Sequence, residues 1–358
     1  MKNLWNTIKV GNLNLPHRLA LAPMTRSRAL YDGTPGELSP LYYEQRASLG
    51  LLISEGTQPS EDGQGYMYTP GIYTDAHIAG WRKVADRVHQ AGGYLFIQLM
   101  HAGRMSHPEN TPHHRQPVAP SAIAPKAQMF TATGMQDIPV PRELSLEDVK
   151  ATVEDFRKAA AAAIQAGADG VEIHGANGYL IHQFISENAN VRADQYGGSI
   201  ENRARFAIEV ATAVAEEIGA ERTGIRISPG VPLGDLVEGD QGPEVYKYLI
   251  SELAKLNLAY LHVLHGGNEE SLREIRSAWP TVLIVNRPSR PLEELDRDVN
   301  TGLADIASVG AWGLANPDLV ERLKAGAPLN EADPTTFYGG DQRGYTDYPA
   351  MNSDINGC

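Results

Sequence analysis

Eight short apolar runs, most followed by an amphipathic stretch, limit how this chain can fold. They read RLALAPM (18–24), LLISEGT (51–57), YLFIQLM (94–100), GVEIHG (170–175), TGIRISP (223–229), AYLHVLH (259–265), TVLIVN (281–286) and ADIASVG (304–310). Each is nearly continuous instead of strictly alternating, as in parallel strands covered on both faces. Helical periodicity is clearest in SLEDVKATVEDFRKAAAAAIQAG. There Ser145 and Asp148 make a capping signature and Gly167 a stop. ENRARFAIEVATAVAEEIG and PEVYKYLISELAKLN are amphipathic in the same way. The alternation predicts an α/β fold: a (β/α)8 barrel built as a single domain over 1–358. A doubly wound sheet is the alternative, but no GxGxxG follows the first strand.

Three stretches depart from the repeat. KVGNLNL reads as a hairpin covering the bottom of the barrel. Residues 101–144, rich in Pro and His, read as a loop or lid excursion after the third strand. Residues 345–358 read as a C-terminal tail.

Composition removes several function classes. Lys plus Arg number 31 against 44 Asp plus Glu, a formal charge of −13. General electrostatics therefore disfavour nucleic acid and anionic membranes as partners. The single cysteine, Cys358, rules out a disulfide framework. The N-terminus lacks the apolar core of a signal peptide, and no apolar run approaches membrane-spanning length. A cytoplasmic protein is expected. His101, His107, His113 and His114 match no zinc spacing, so no metal is expected.

In a barrel of this kind, active sites form at the C-terminal ends of the strands. Five consecutive ends are polar here: Pro23-Met24-Thr25-Arg26, Glu55-Gly56-Thr57, Gln98 to His101, His174 with Asn177 and Tyr179, and Arg226 with Ser228. The stretch HGANGYLIHQF is the most pointed. His and Asn can donate hydrogen bonds to an oxyanion, and a tyrosine hydroxyl can deliver a proton. Gln98 offers an amide suited to a planar heterocycle with a carbonyl beside a ring N–H. Arg226, inside an apolar strand, is costly without an anionic partner. Arg26 and Arg28 read as structural, paired with nearby carboxylates, and His182 as packing on the helix side.

LAPMTRSR, YYEQRASLGLLISEGTQ, HGANGYLIHQF, DQYGGSIENRARF, NPDLVERL and FYGGDQRGYTDYP occur in this order along nearly the whole chain. With them the sequence resembles the Old Yellow Enzyme family of FMN-dependent ene-reductases. The resemblance implies a flavoprotein oxidoreductase that reduces activated C=C bonds of enones, enals, maleimides or nitroalkenes, with NADPH or NADH as reductant. Thr25 would bond the flavin C4 carbonyl, Gly56 and Gln98 would meet the pyrimidine edge, and Pro23 and Met24 would back the ring. Arg226 would sit by N1 and the C2 carbonyl. His174 and Asn177 would bind the substrate oxygen, and Tyr179 would protonate the alpha carbon. Tyr66 and Tyr338 match aromatic residues of the substrate pocket. A monomer or homodimer acting on a small electron-poor alkene follows. Nitroester or nitro-compound reduction and isomerisation at the same site are the enzymatic alternatives.

The resemblance breaks at three places. Met100 stands where the family often has Trp, implying a reshaped substrate pocket. Asn286-Arg287-Pro288-Ser289-Arg290 replaces a Gly-containing turn after strand seven. Gly310-Ala311 replaces a Gly-Arg pair after strand eight, removing the usual phosphate-binding arginine. Arg287 or Arg290 is expected to supply the missing charge from the neighbouring loop. The alternative is a flavin-deficient binding protein on the same barrel.

Overall fold

The computed structural model describes residues 1, 3–288 and 290–351; Ser289 and Cys358, named above, lie outside them, as does the expected tail beyond 351. All eight apolar runs form strands: β1 (Leu19–Leu21), β2 (Leu51–Ile53), β3 (Tyr94–Leu99), β4 (Gly170–His174), β5 (Thr223–Ile227), β6 (Tyr260–Leu264), β7 (Val282–Asn286) and β8 (Ile306–Val309). Every neighbouring pair is parallel, and β8 returns to β1 to close the barrel. Closure leaves no edge strand to attract another chain.

Each strand is shorter than its apolar run, and the two shortest, β1 and β2, stop for identifiable reasons. β1 stops before Pro23, which has no N–H to continue a ladder. β2 stops at Ser54, whose hydroxyl takes the Gln98 N–H at 2.9 Å in place of a main-chain acceptor. The freed backbone beyond carries the residues at the mouth.

The helices follow their caps. The helix Leu146–Gln165 has a reciprocal capping box between Ser145 and Asp148, and Gly167 lies beyond it at φ +93°. Its buried face (Val149, Phe156, Ala159, Ala160, Ala163) joins the layer between helices and barrel. Helices Ile200–Ile218 and Gly242–Ala254 occupy the other two amphipathic stretches.

Inside the barrel the filling changes with height. The hairpin of Ile8–Val10 and Leu13–Leu15 places Val10 and Leu15 in an apolar cluster with Ala20, Leu51, Ile53, Phe96, Tyr260, Ile284 and Ile306. The hairpin thus plugs the bottom, as its sequence suggests. Phe96 and Tyr260 fill the middle with ring centroids 5.5 Å apart. They fit because Gly170 and Gly224 face them. A Cβ on Gly170 would lie 2.5 Å from Phe96 Cζ, and one on Gly224 would lie 2.3 Å from Tyr260 Cζ. Above this layer the interior becomes polar.

The excursion between β3 and the helix Leu146–Gln165 carries its own small elements. A hairpin pairs Gln128–Thr131 with Gly134–Asp137, and Val118–Ala119 pairs with Arg142–Glu143. Among the described residues no helix is long and apolar enough to cross a membrane.

Candidate active site

The strand ends converge on one mouth. His174, the last residue of β4, is buried, and its Nδ1 accepts the Ala176 N–H at 3.3 Å. Burial, then the Arg226 cation, pushes its pKa well below the ordinary imidazole value. The ring is therefore neutral, and with Nδ1 accepting, the proton sits on Nε2 as a free donor.

Asn177 follows in the left-handed region at φ +58°, a conformation asparagine tolerates better than most residues. Its N–H is anchored by Ser228 Oγ at 2.9 Å, while its side-chain oxygen is buried without a partner. Tyr179, two residues on, occupies the N-cap position of the helix Leu180–Ile185 without a side-chain capping bond. Its ring stands edge-on to His174 with centroids 5.0 Å apart, and its hydroxyl lies 3.2 Å from that of Tyr66. Burial first, then Tyr66, pushes the Tyr179 hydroxyl well above the ordinary phenol value. It keeps its proton at any physiological pH.

Gln98 and Arg226 rise from β3 and β5, both buried. Arg226 donates to Asn286 Oδ1 at 3.3 Å, but its Nε is buried without a partner. An orphaned guanidinium N–H in an apolar barrel costs stability unless an acceptor arrives. Together with the Gln98 amide it suits the imide edge of an isoalloxazine ring. Gly56 is covered by Met100, whose Sδ would lie 2.4 Å from a Cβ at that position. Met100 is buried there instead of lying open to the mouth.

Pro23, Met24 and Thr25 are half-buried on the loop after β1. Glu55 shapes this loop by accepting the N–H groups of Arg26 at 2.9 Å and Ser27 at 3.2 Å. Burial pushes Glu55 up to about 7, against those donors and the Arg26 charge. Among the described residues Arg26 and Arg28 do not form the expected ion pairs. Their side chains donate to main-chain carbonyls instead, Arg26 to Thr336, Phe337 and Gly344, and Arg28 to Thr336, Asp341 and Arg343 among others. Arg26 also lies near the faces of Tyr42 and Tyr345. These ties hold the segment that carries Tyr338, which is 70% exposed.

A separate cavity of about 250 Å³ opens beside the ends of β7 and β8, lined by Arg287, Arg290, Asp298, Gly310, Ala311 and Trp312 among others. Both arginines reach it, but neither is a free cation. Arg287 is paired with Glu269 and Asp298, and Arg290 meets Asp298 at 2.9 Å. The cavity suits an anionic group that competes with the two carboxylates.

His182 does more than pack: Nδ1 takes the Gly178 N–H at 3.1 Å and Nε2 meets Glu238 at 2.9 Å, bracing the turn that presents Tyr179. Among the described residues no group of three or more His, Cys, Asp or Glu could hold a metal ion. Glu172, His262 and Ser308, which no motif marks in the sequence, line the barrel beneath the mouth. The signal was there, as a carboxylate inside GVEIH and an imidazole inside AYLHVLH.

The chain matches the NADH:flavin oxidoreductase / NADH oxidase family over residues 3–330. It is 42% identical to a probable flavin mononucleotide-dependent alkene reductase of Leishmania infantum over 352 residues, covering 96% of each chain. A solved structure of morphinone reductase in complex with tetrahydroNAD superposes with a TM-score of 0.94 at 43% identity, covering 99% of each chain. The Old Yellow Enzyme homologue of Zymomonas mobilis gives 0.93 at 37% identity, covering 97% of this chain and 99% of that one. With the closed barrel and the ordered motifs, these likenesses place the chain in the NADH:flavin oxidoreductase / NADH oxidase family, that of the Old Yellow Enzymes.

Proposed function

We infer that this protein is an FMN-dependent oxidoreductase that reduces activated carbon–carbon double bonds at the expense of NAD(P)H. When bound, FMN would supply the redox chemistry, the transfer of a hydride from the nicotinamide to the beta carbon of the alkene. Gln98, Arg226, Thr25 and Gly56 would hold its ring, backed by Pro23 and Met24. Arg287, Gly310 and Ala311 would border its phosphate.

The chain's own residues do the rest. Negative charge develops on the carbonyl oxygen of an enone during the reaction. The His174 Nε2–H and the Asn177 side-chain amide are positioned to donate to it. A preorganised donor of this kind is worth roughly 3 kcal/mol in other oxyanion sites. Tyr179 gives its proton to the alpha carbon and can be reprotonated through Tyr66. Because His174 is neutral, it polarises the substrate without releasing a proton of its own. Tyr66 and Tyr338 would shape the substrate side of the mouth, with Met100 packed on Gly56 behind it.

The observation that carries this reading is the cluster at the end of β4: a neutral His174 with Nε2–H free, an Asn177 held beside it by Ser228 Oγ, and a Tyr179 hydroxyl that holds its proton. The test is a visible spectrum of the protein after adding FMN and removing the excess. A flavin spectrum that bleaches anaerobically with NADPH or NADH and returns with cyclohexenone is expected. A colourless protein unable to retain FMN overturns the reading.

A further inference from the structure

A chain of buried polar side chains crosses the barrel directly below the mouth. Gln98 on β3 lies opposite Glu172 on β4, and Arg226 on β5 lies opposite His262 on β6. Gln98 Nε2 donates to Glu172 Oε1 at 2.8 Å. The other carboxylate oxygen meets His262 Nδ1 at 2.8 Å, and His262 Nε2 meets Ser308 Oγ at 2.9 Å. Glu172 and His262 are fully buried, and Gln98, Arg226 and Ser308 are at most 5% exposed. Nothing in the alkene chemistry described above uses Glu172, His262 or Ser308.

The donor directions follow from the carboxylate. An ionised carboxylate only accepts, so the Gln98 atom that faces it must be the amide nitrogen and the His262 nitrogen must carry its proton. His262 Nε2 then accepts from the Ser308 hydroxyl. The groups around the carboxylate agree with this assignment. Burial alone would raise Glu172, but His262, Arg226 and Gln98 together hold it below the ordinary carboxylate value. Burial, above all, holds His262 below the ordinary imidazole value. Tyr260, a further titratable neighbour, is kept neutral by burial and by the Glu172 charge.

Two consequences follow for the ring that Gln98 and Arg226 would hold. With one N–H committed to Glu172, the Gln98 amide cannot turn over. Its oxygen is left to accept, which matches the N3–H of an isoalloxazine. The second consequence is electrostatic. The Glu172 charge offsets Arg226 in a water-excluded interior, where such effects are largest. We propose that Glu172 is the positioning residue of the flavin edge: it locks the Gln98 amide with its oxygen toward ring N3–H, and its charge lowers the midpoint potential that Arg226 alone would set. This rests on the FMN reading above.

The experiment compares wild type, Glu172→Gln and Glu172→Asp, each reconstituted with FMN and with 3-methyl-FMN. The neutral glutamine is expected to raise the two-electron midpoint potential by at least tenfold in the oxidised-to-reduced equilibrium, about 30 mV. Aspartate, which keeps the charge, returns most of that change. Wild type is expected to bind 3-methyl-FMN at least tenfold more weakly than FMN, and Glu172→Gln to discriminate less because its Gln98 is free to turn. A potential unchanged in Glu172→Gln overturns the electrostatic claim. Equal affinity of wild type for the two flavins overturns the amide lock, and needs no variant to fold. A wild type that binds neither flavin removes the FMN reading itself, so the two failures are distinct.

Discussion

Glu55 gives the sharpest test of how this mouth is built. Its carboxyl sits at about 7 in the folded chain against an ordinary value of 4.5, burial being the main cause. A raised folded value means that the unfolded chain loses its proton first as pH rises. The favourable contribution is complete below pH 4.5 and is lost progressively up to about pH 7. At 1.36 kcal/mol per pH decade, the loss amounts to about 3 kcal/mol. Glu55→Gln keeps an oxygen for the N–H groups of Arg26 and Ser27 but does not titrate. The assay is urea unfolding of both proteins from pH 4 to pH 8. Groups other than Glu55 titrate alike in both proteins, so their contributions cancel in the difference. Wild type should lose about 3 kcal/mol relative to the variant across that window, most of it between pH 5 and 7. A constant difference would refute the reasoning, as would one that grows in wild type's favour as pH rises.

Four other outcomes are expected. Tyr179→Phe should slow enone reduction by roughly 10²- to 10⁴-fold while leaving flavin reduction by NAD(P)H near wild type, as read by stopped-flow absorbance; equal loss in both half-reactions would remove the tyrosine from proton delivery. Gly224→Ala puts a methyl 2.3 Å from Tyr260 Cζ, so a destabilisation of about 1–3 kcal/mol should appear in the urea midpoint. Ser145→Ala opens the capping box of Leu146–Gln165 and should cost about 1 kcal/mol, with Ser145→Thr near wild type. Arg287→Ala with Arg290→Ala should weaken FMN binding roughly tenfold to a hundredfold, the effect of losing a charged hydrogen bond; unchanged affinity by fluorescence titration would free both arginines of that role.

The barrel could be read from the sequence because parallel strands buried on both faces leave continuous apolar runs, and all eight became strands. Strand length was less visible. The ladder of β1 ends with the last N–H before Pro23, and that of β2 ends where Ser54 substitutes its hydroxyl. The trio after β4 was legible because three unlike chemical groups fall within six residues. Glu172 was not, although it stands inside the apolar run GVEIHG. Alternation says that a residue faces inward, but not that His262, ninety positions on, will face it. The same holds for Arg287. Its charge reads as free until folding brings Glu269 and Asp298 against it. Arg26 and Arg28 show the limit from another side. They were expected to seek carboxylates, but a guanidinium fork is equally well satisfied by several carbonyls on one passing segment.

That segment bears on how the protein is made. Arg26 donates to carbonyls 310 to 318 residues downstream of it. A ribosome adds about 5–20 residues per second, so the nascent arginine waits roughly 15 to 60 seconds for its acceptors. During that wait β1 also lacks β8, its neighbour in the closed barrel. The loop that carries Thr25 therefore matures among the last parts of the molecule, though it is translated among the first. Assembly of the mouth waits until residues 336–344 clear the exit tunnel and reach a guanidinium that has been waiting for them.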